Sequence, residues 1–257
     1  MRAIAAGLSD VGRERSHNED RFILLPELSV FVVADGMGGH QSGEVASRMA
    51  ASTIASYFKS DDPGEPKAVG ERLRAAVSDA NAKIFARADD SKTYRGMGTT
   101  VVAAAWGAAE DTLYVAHAGD SRCYRIRRGE IKQLTRDHSL LADALRERPE
   151  LTELDLSYLP RNVITRALGI APTVDVDLTV ERARAGDVFL LCSDGLHGLV
   201  GDEEIGRLVT EAPGLAEACA RLIAAANGYG GKDNITAVLI RIEDDMDSWS
   251  SRPPAGG

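Results

Sequence analysis

The chain has 257 residues, 44% of them hydrophobic and 27% charged, which suffices for a substantial core in one large domain or two small ones. Its net charge of -9 is spread along the length with no basic stripe for nucleic acid, and no apolar run nears the roughly 20 residues of a membrane span. The N-terminal MRAIAAGLSD turns polar without a signal-peptide core, so a cytoplasmic protein with neither nucleic acid nor membrane as partner is expected. Excess acid repels phosphorylated ligands unless metal ions or local arginines reverse the field. Cys123, Cys192 and Cys219 are odd in number and far apart, with no CxxC pair, which predicts reduced, buried thiols. Cys192 lies two residues before Asp194 but carries no nucleophile signature.

Short apolar segments at Ala3–Leu8 and Phe22–Leu25 predict strands, and Leu28–Ala34 (LSVFVVA) a third that ends at Asp35-Gly36. The turn GMGGH leads into a helix from about Gly43 to Phe58, with Val45, Ala46, Met49, Ala50, Thr53 and Ile54 at helical spacing. After a loop at Asp61–Pro66, a second amphipathic helix covers Val69 to Arg87. Thr99–Trp106, Thr112–His117, Arg122–Arg127 and Glu130–Leu134 read as one antiparallel meander. From about Arg136 to Val163 the pattern breaks into a polar insertion over one edge of the core, with a helical piece at Leu140–Leu145. Strands follow at Val174–Val180, Asp187–Cys192 and Ile235–Ile242, with helices at Asp202–Thr210 and Gly214–Asn227 before the last. The tail after Glu243 reads as disordered. Helices in sequential pairs, with strands between, suggest an α+β layering of antiparallel sheets sandwiched by helix pairs.

Four aspartates share a setting. Asp35, Asp120 and Asp194 each follow an apolar strand, and Asp233 precedes one. Taken singly, each is ordinary turn or cap chemistry. Together with Asn18-Glu19-Asp20 they suggest acids converging on one rim of a sheet. Such a group needs a cation, and oxygen-only ligands suit Mg²⁺ or Mn²⁺.

In chain order the segments RSHNED (15–20), VADGMGGH (33–40), GMGTT (96–100), AGDSR (118–122), LTRDHS (134–139), NVITRALG (162–169), SDGL (193–196) and DNIT (233–236) closely resemble the bacterial branch of the protein phosphatase 2C family. The resemblance implies a four-layer α/β/β/α sandwich over residues 1–243, with the insertion at about 136–163 as the family's flap. It implies a centre of two Mn²⁺ or Mg²⁺ ions, with Asp35 bridging both, the Gly36 carbonyl on one, and Asp194 and Asp233 completing the other. Glu19 and Asp20 match the acidic pair near the second ion, and Asp120 with Asp194 the site of a third, weaker ion. Arg15 matches the phosphate-binding arginine, whose fork grips two phosphate oxygens.

Two cations sharing one water lower its pKa and aim it at phosphorus, which makes the implied reaction the hydrolysis of phosphoserine and phosphothreonine in proteins. The implied partners are phosphoproteins and a Ser/Thr kinase opposed in trans. Animal-type members carry DGHGG, whose His is a candidate general acid; here Met37 stands there and His40 follows. His40 is thus a candidate to protonate the leaving group, to support metal waters, or to cap the next helix. His138 is expected to organise the start of the insertion, and His117 and His197 to be strand and turn residues. The insertion is expected to tune substrate choice and third-ion occupancy. The competing reading, a binding module that keeps the fold without the chemistry, would show a missing metal aspartate, and none is missing.

Overall fold

The computed structural model describes residues 1–38, 41–60, 68–152, 155–156, 158–160 and 163–244. His40, the loop expected at 61–66, parts of the insertion (153–154, 157 and 161–162) and the tail from 245 lie outside the described residues.

Two sheets stack face to face. Sheet A places β1 (Arg2–Asp10), β11 (Ile235–Glu243), β10 (Val188–Cys192), β7 (Arg122–Arg127) and β8 (Glu130–Gln133) side by side, every pair antiparallel. Sheet B places β2 (Asp20–Leu25), β3 (Val30–Met37), β5 (Val101–Gly107), β6 (Thr112–Ala118) and β9 (Asp177–Arg182) likewise, and the short β4 (Gly98–Thr99) pairs with the end of β3. Helices α1 (Gln41–Lys59) and α2 (Val69–Asp89) cover sheet B, while α5 (Asp202–Thr210) and α6 (Leu215–Gly228) cover sheet A.

The side-chain period of two explains the layering. In β3, Val30, Val32 and Ala34 face α1 and α2, whereas Phe31 and Val33 face the other sheet. In β11, Ile235, Ala237 and Leu239 face the helices, and Val238, Ile240 and Ile242 the sheet interface. Both faces are covered, so these strands read as unbroken apolar runs although their pairing is antiparallel.

Four expectations need correcting. The meander is divided: β5 and β6 belong to sheet B, β7 and β8 to sheet A, and the chain crosses between sheets at Gly119–Ser121. The strand expected at Val174–Val180 forms at Asp177–Arg182, because Val174 and Val176 first pack onto the α1/α2 core. The strand expected from Leu28 begins at Val30, after a 3-10 turn at Pro26–Leu28 that closes with Ser29 in the left-handed region (φ 53°). A short helix α4 (Asp194–His197) follows β10, where the sequence predicted only a turn. The helix Leu140–Glu147 (α3) opens the insertion, whose two legs meet through a bridge between Ser139 and Ile164.

The pairings set a polarity. Asp10 pairs with Ile235, Cys192 with Arg122, Val101 with Ala118, and Asp20 with Asp35, so the ends that carry acids all lie on one rim of the sandwich.

Candidate active site

Asp20 and Asp35 face each other as paired residues of β2 and β3. Asp35 ends the apolar part of β3, and its backbone is held by the GTT segment. Thr100 N–H donates to the Asp35 carbonyl at 2.8 Å, the Thr99 hydroxyl donates to the same oxygen at 2.8 Å, and Asp35 N–H donates to Thr100 Oγ1 at 3.3 Å. Gly36 must be glycine, since a Cβ there would sit 2.2 Å from the Gly43 carbonyl oxygen at the start of α1.

Asp194 begins α4 just after β10, and its charge is one of those that bear on Asp35. Asp120 sits in the turn that crosses between the sheets, which is how a residue following a sheet B strand reaches Asp194. Asp233 lies just before β11 and accepts a 2.7 Å hydrogen bond from Arg15 Nη2. The structure therefore gathers Arg15, Glu19, Asp20, Asp35, Gly36, Asp120, Asp194 and Asp233 at the rim; of the candidate residues, only His40 lies outside the described residues.

Burial dominates the electrostatics. It raises Asp20 and Asp120 each to about 7, with Asp194 adding repulsion to both. Asp35 is pushed well above the carboxylate range by burial and then by Asp20, Asp194, Asp120 and Asp233. Asp194 is raised by burial and Asp233, and Glu19 by burial against the opposing pull of Arg15. Arg15 is held still more firmly cationic by Asp233. Glu19 Oε1, Asp20 Oδ1, Asp120 Oδ1 and Asp194 Oδ1 are buried without any hydrogen-bond partner among the described residues. Buried carboxylate oxygens that lack donors fit one class of ligand, a hard cation with its waters.

Supporting residues escaped the sequence reading. Asp20 Oδ2 accepts from the Ser193 and Thr236 hydroxyls, both at 2.7 Å, which leaves Oδ1 free. Asn234 spans the loop between β1 and β2: its Nδ2 donates to the Val11 and His17 carbonyls (3.0 and 2.9 Å), and its Oδ1 accepts from Glu19 N–H at 2.8 Å. The block DNIT marked Asn234 and Thr236, but nothing local in the sequence shows whom they hold.

Among the described residues, the one trio of histidines, cysteines or acids with ligand atoms within 4.8 Å of each other is His117, His138 and Asp177, none of them one of the expected metal ligands. It is a poor metal cage. The two rings stack at 4.7 Å with planes 8° apart, so no ion can lie in the plane of both, and Arg166 already pairs with Asp177 at 2.7 Å. The rim acids stand further apart than such a trio, which suits ions that keep much of their water. The cysteines are free and buried as expected, and burial pushes the Cys192 thiol up, away from nucleophile chemistry.

The family model for protein phosphatase 2C matches residues 12–239. This chain belongs to the protein phosphatase 2C family. Within that family, the serine/threonine phosphatase stp of Listeria monocytogenes is 38% identical over 237 residues, spanning 90% of this chain and 93% of that protein. The serine/threonine protein phosphatase PstP of Mycobacterium tuberculosis is 39% identical over 98% of this chain and 47% of its own length. The crystal structure of the Mycobacterium tuberculosis phosphatase PstP/Ppp superposes with a TM-score of 0.85 at 37% identity, covering 95% of this chain and all (100%) of that one. A crystal structure of the PstP catalytic domain in complex with two manganese ions gives a TM-score of 0.82 at 37% identity, over 94% and 99% of the two chains. The phosphatase 2C sandwich expected from the motifs is thus the fold of this chain.

Proposed function

We propose that this protein is a metal-dependent serine/threonine protein phosphatase that hydrolyses phosphoserine and phosphothreonine in the cytoplasm and opposes a Ser/Thr kinase in trans. The observation that carries the reading is the set of buried, unpartnered carboxylate oxygens on Glu19, Asp20, Asp120 and Asp194 around Asp35. The relatives' names as serine/threonine phosphatases, and the manganese pair in PstP, support it.

Asp35, the Gly36 carbonyl, Asp194 and Asp233 would hold two Mn²⁺ or Mg²⁺ ions, with Glu19 and Asp20 acting through water and Asp120 with Asp194 holding a third. Bound there, the ions supply Lewis acidity and an acidified water. The chain's own residues do the rest. Arg15, cationic and half exposed at the rim, binds phosphate oxygens and favours the charge that develops as the bond to the serine or threonine oxygen breaks. Asp233 fixes that guanidinium, and Asn234 fixes the loop that carries it. The departing alkoxide needs a proton, and His40 is our candidate donor. The rigid sandwich positions these groups from both sheets, so little reorganisation is needed on binding.

The test is hydrolysis of a phosphothreonine peptide by the purified protein with Mn²⁺, with EDTA, and in the Asp194→Asn variant. We expect activity that requires Mn²⁺ and falls by about a hundredfold or more in the variant, the scale on which lost electrostatic stabilisation acts. Failure of the folded, Mn²⁺-loaded protein to turn over this peptide or an aryl phosphate would instead make it a binding module.

A further inference from the structure

Asp120 is held from both sides by histidines. On one side, His197 of α4 donates from Nε2 to the Asp120 carbonyl at 3.0 Å. On the other, His138 clamps the preceding residue twice: Gly119 N–H donates to His138 Nδ1 at 3.1 Å, and His138 N–H donates to the Gly119 carbonyl at 3.0 Å. Gly119 needs such a clamp. Its φ of +116° is open only to glycine, and a Cβ there would meet Thr100 Cβ at 2.5 Å. A glycine in that region has many alternatives, and any of them would swing the Asp120 carboxylate.

His138 is itself immobilised. It is 2% exposed, it stacks on His117, and its Nε2 lies 3.3 Å from Asp177 Oδ2, while Arg166 takes the other oxygen of that carboxylate at 2.7 Å. Because Nδ1 accepts from Gly119, the ring proton sits on Nε2, which faces Asp177 Oδ2 at 3.3 Å and also lies 3.1 Å from Arg166 Nη1. Its carbonyl accepts from Thr165 N–H at 2.8 Å, joining the two legs of the insertion beneath this turn.

We infer that His138 is a positioning residue for Asp120: by accepting the Gly119 N–H it holds the Asp120 carboxylate where a divalent cation can use it. The inference rests on the reading of Asp120 as a ligand of the weakest-bound cation. His138 touches neither substrate nor cation and acts only through the Gly119 peptide. The arrangement parallels the outer hydrogen bonds that orient metal ligands in general, whose loss costs about 10- to 100-fold in metal affinity.

The experiment is a Mn²⁺ titration of the full chain, followed by the electron paramagnetic resonance signal of the free ion. It compares the wild type with H138N, H138Q and D120N, and adds the hydrogen-exchange rate of the Gly119 amide. Asn places an acceptor where Nδ1 stood, whereas Gln abandons that position and reaches toward Asp177. We expect D120N to lose the weakest class of sites and H138Q to weaken that class about tenfold or more with a fast-exchanging Gly119 amide, the other classes staying unchanged. H138N should restore both the affinity and the protection. Wild-type binding in H138Q, or equal weakening in H138N and H138Q, would overturn the role of His138 alone. Retention of the weakest class in D120N would instead remove Asp120 from the ligand set, and the inference with it.

Discussion

Chelation should destabilise this protein by an amount that grows with pH. Asp20 and Asp120 each ionise at about 7 in the folded chain instead of the ordinary 3.8, first because burial strips their water and then because Asp194 is near. Between those values the folded, cation-free chain holds protons that the unfolded chain has released. The stability contributed by these protons is complete below the unfolded value and is lost as pH rises through the folded one. A cation bound by the same carboxylates displaces the protons, so its stabilisation must rise over that window. Two protons displaced correspond to about 2.7 kcal/mol for each pH unit, at about 1.36 kcal/mol apiece. At roughly 2–4 °C per kcal/mol for a chain of this size, the melting-temperature gap between Mn²⁺ and EDTA should widen by about 5–11 °C from about pH 5 to about pH 6. Scanning calorimetry at matched ionic strength measures the gap directly, and the subtraction cancels groups remote from the rim. A gap that stays constant or narrows as pH rises would refute the reasoning.

Two further outcomes follow from the hydrogen-bond geometry. Asn234→Ala removes three bonds that pin the loop of Arg15 and Glu19; at about 0.5–1.5 kcal/mol each, urea unfolding should show a loss of about 2–4 kcal/mol, with peptide hydrolysis impaired even where the fold persists. Asp187→Ala should cost about 3 kcal/mol in the same assay while leaving hydrolysis per folded molecule intact. Asp187 is 2% exposed and accepts from Arg127 Nε and Nη2 at 2.7 and 2.6 Å, but it sits at the rim opposite the acids.

Much of this was legible because it is local. LSVFVVA and ITAVLI are apolar on both faces and announce strands covered on both sides, and each acid follows or precedes such a run. The division of the meander was not legible. Gly119-Asp120 resembles the tip of a hairpin, and only the pairing of β7 with β10 shows that the chain has changed sheets. Asn234 was seen as part of a motif but not as a clamp, because its partners Val11 and His17 lie 223 and 217 residues away. His138 looked like the opening of a loop, since its partner is a backbone N–H at a glycine whose conformation the sequence does not declare.

The polarity of the sandwich has a practical side. β1 starts and β11 finishes side by side, Arg2 paired with Glu243, on the rim away from the acids, together with the turns after β5, β7 and β9. A fluorophore, affinity handle or fused domain joined beyond Arg2 or Glu243 leaves the molecule facing away from an approaching phosphopeptide. The surface that must recognise other proteins is thereby separated from the surface that can be tethered, and an immobilised or fused form should keep its working end open.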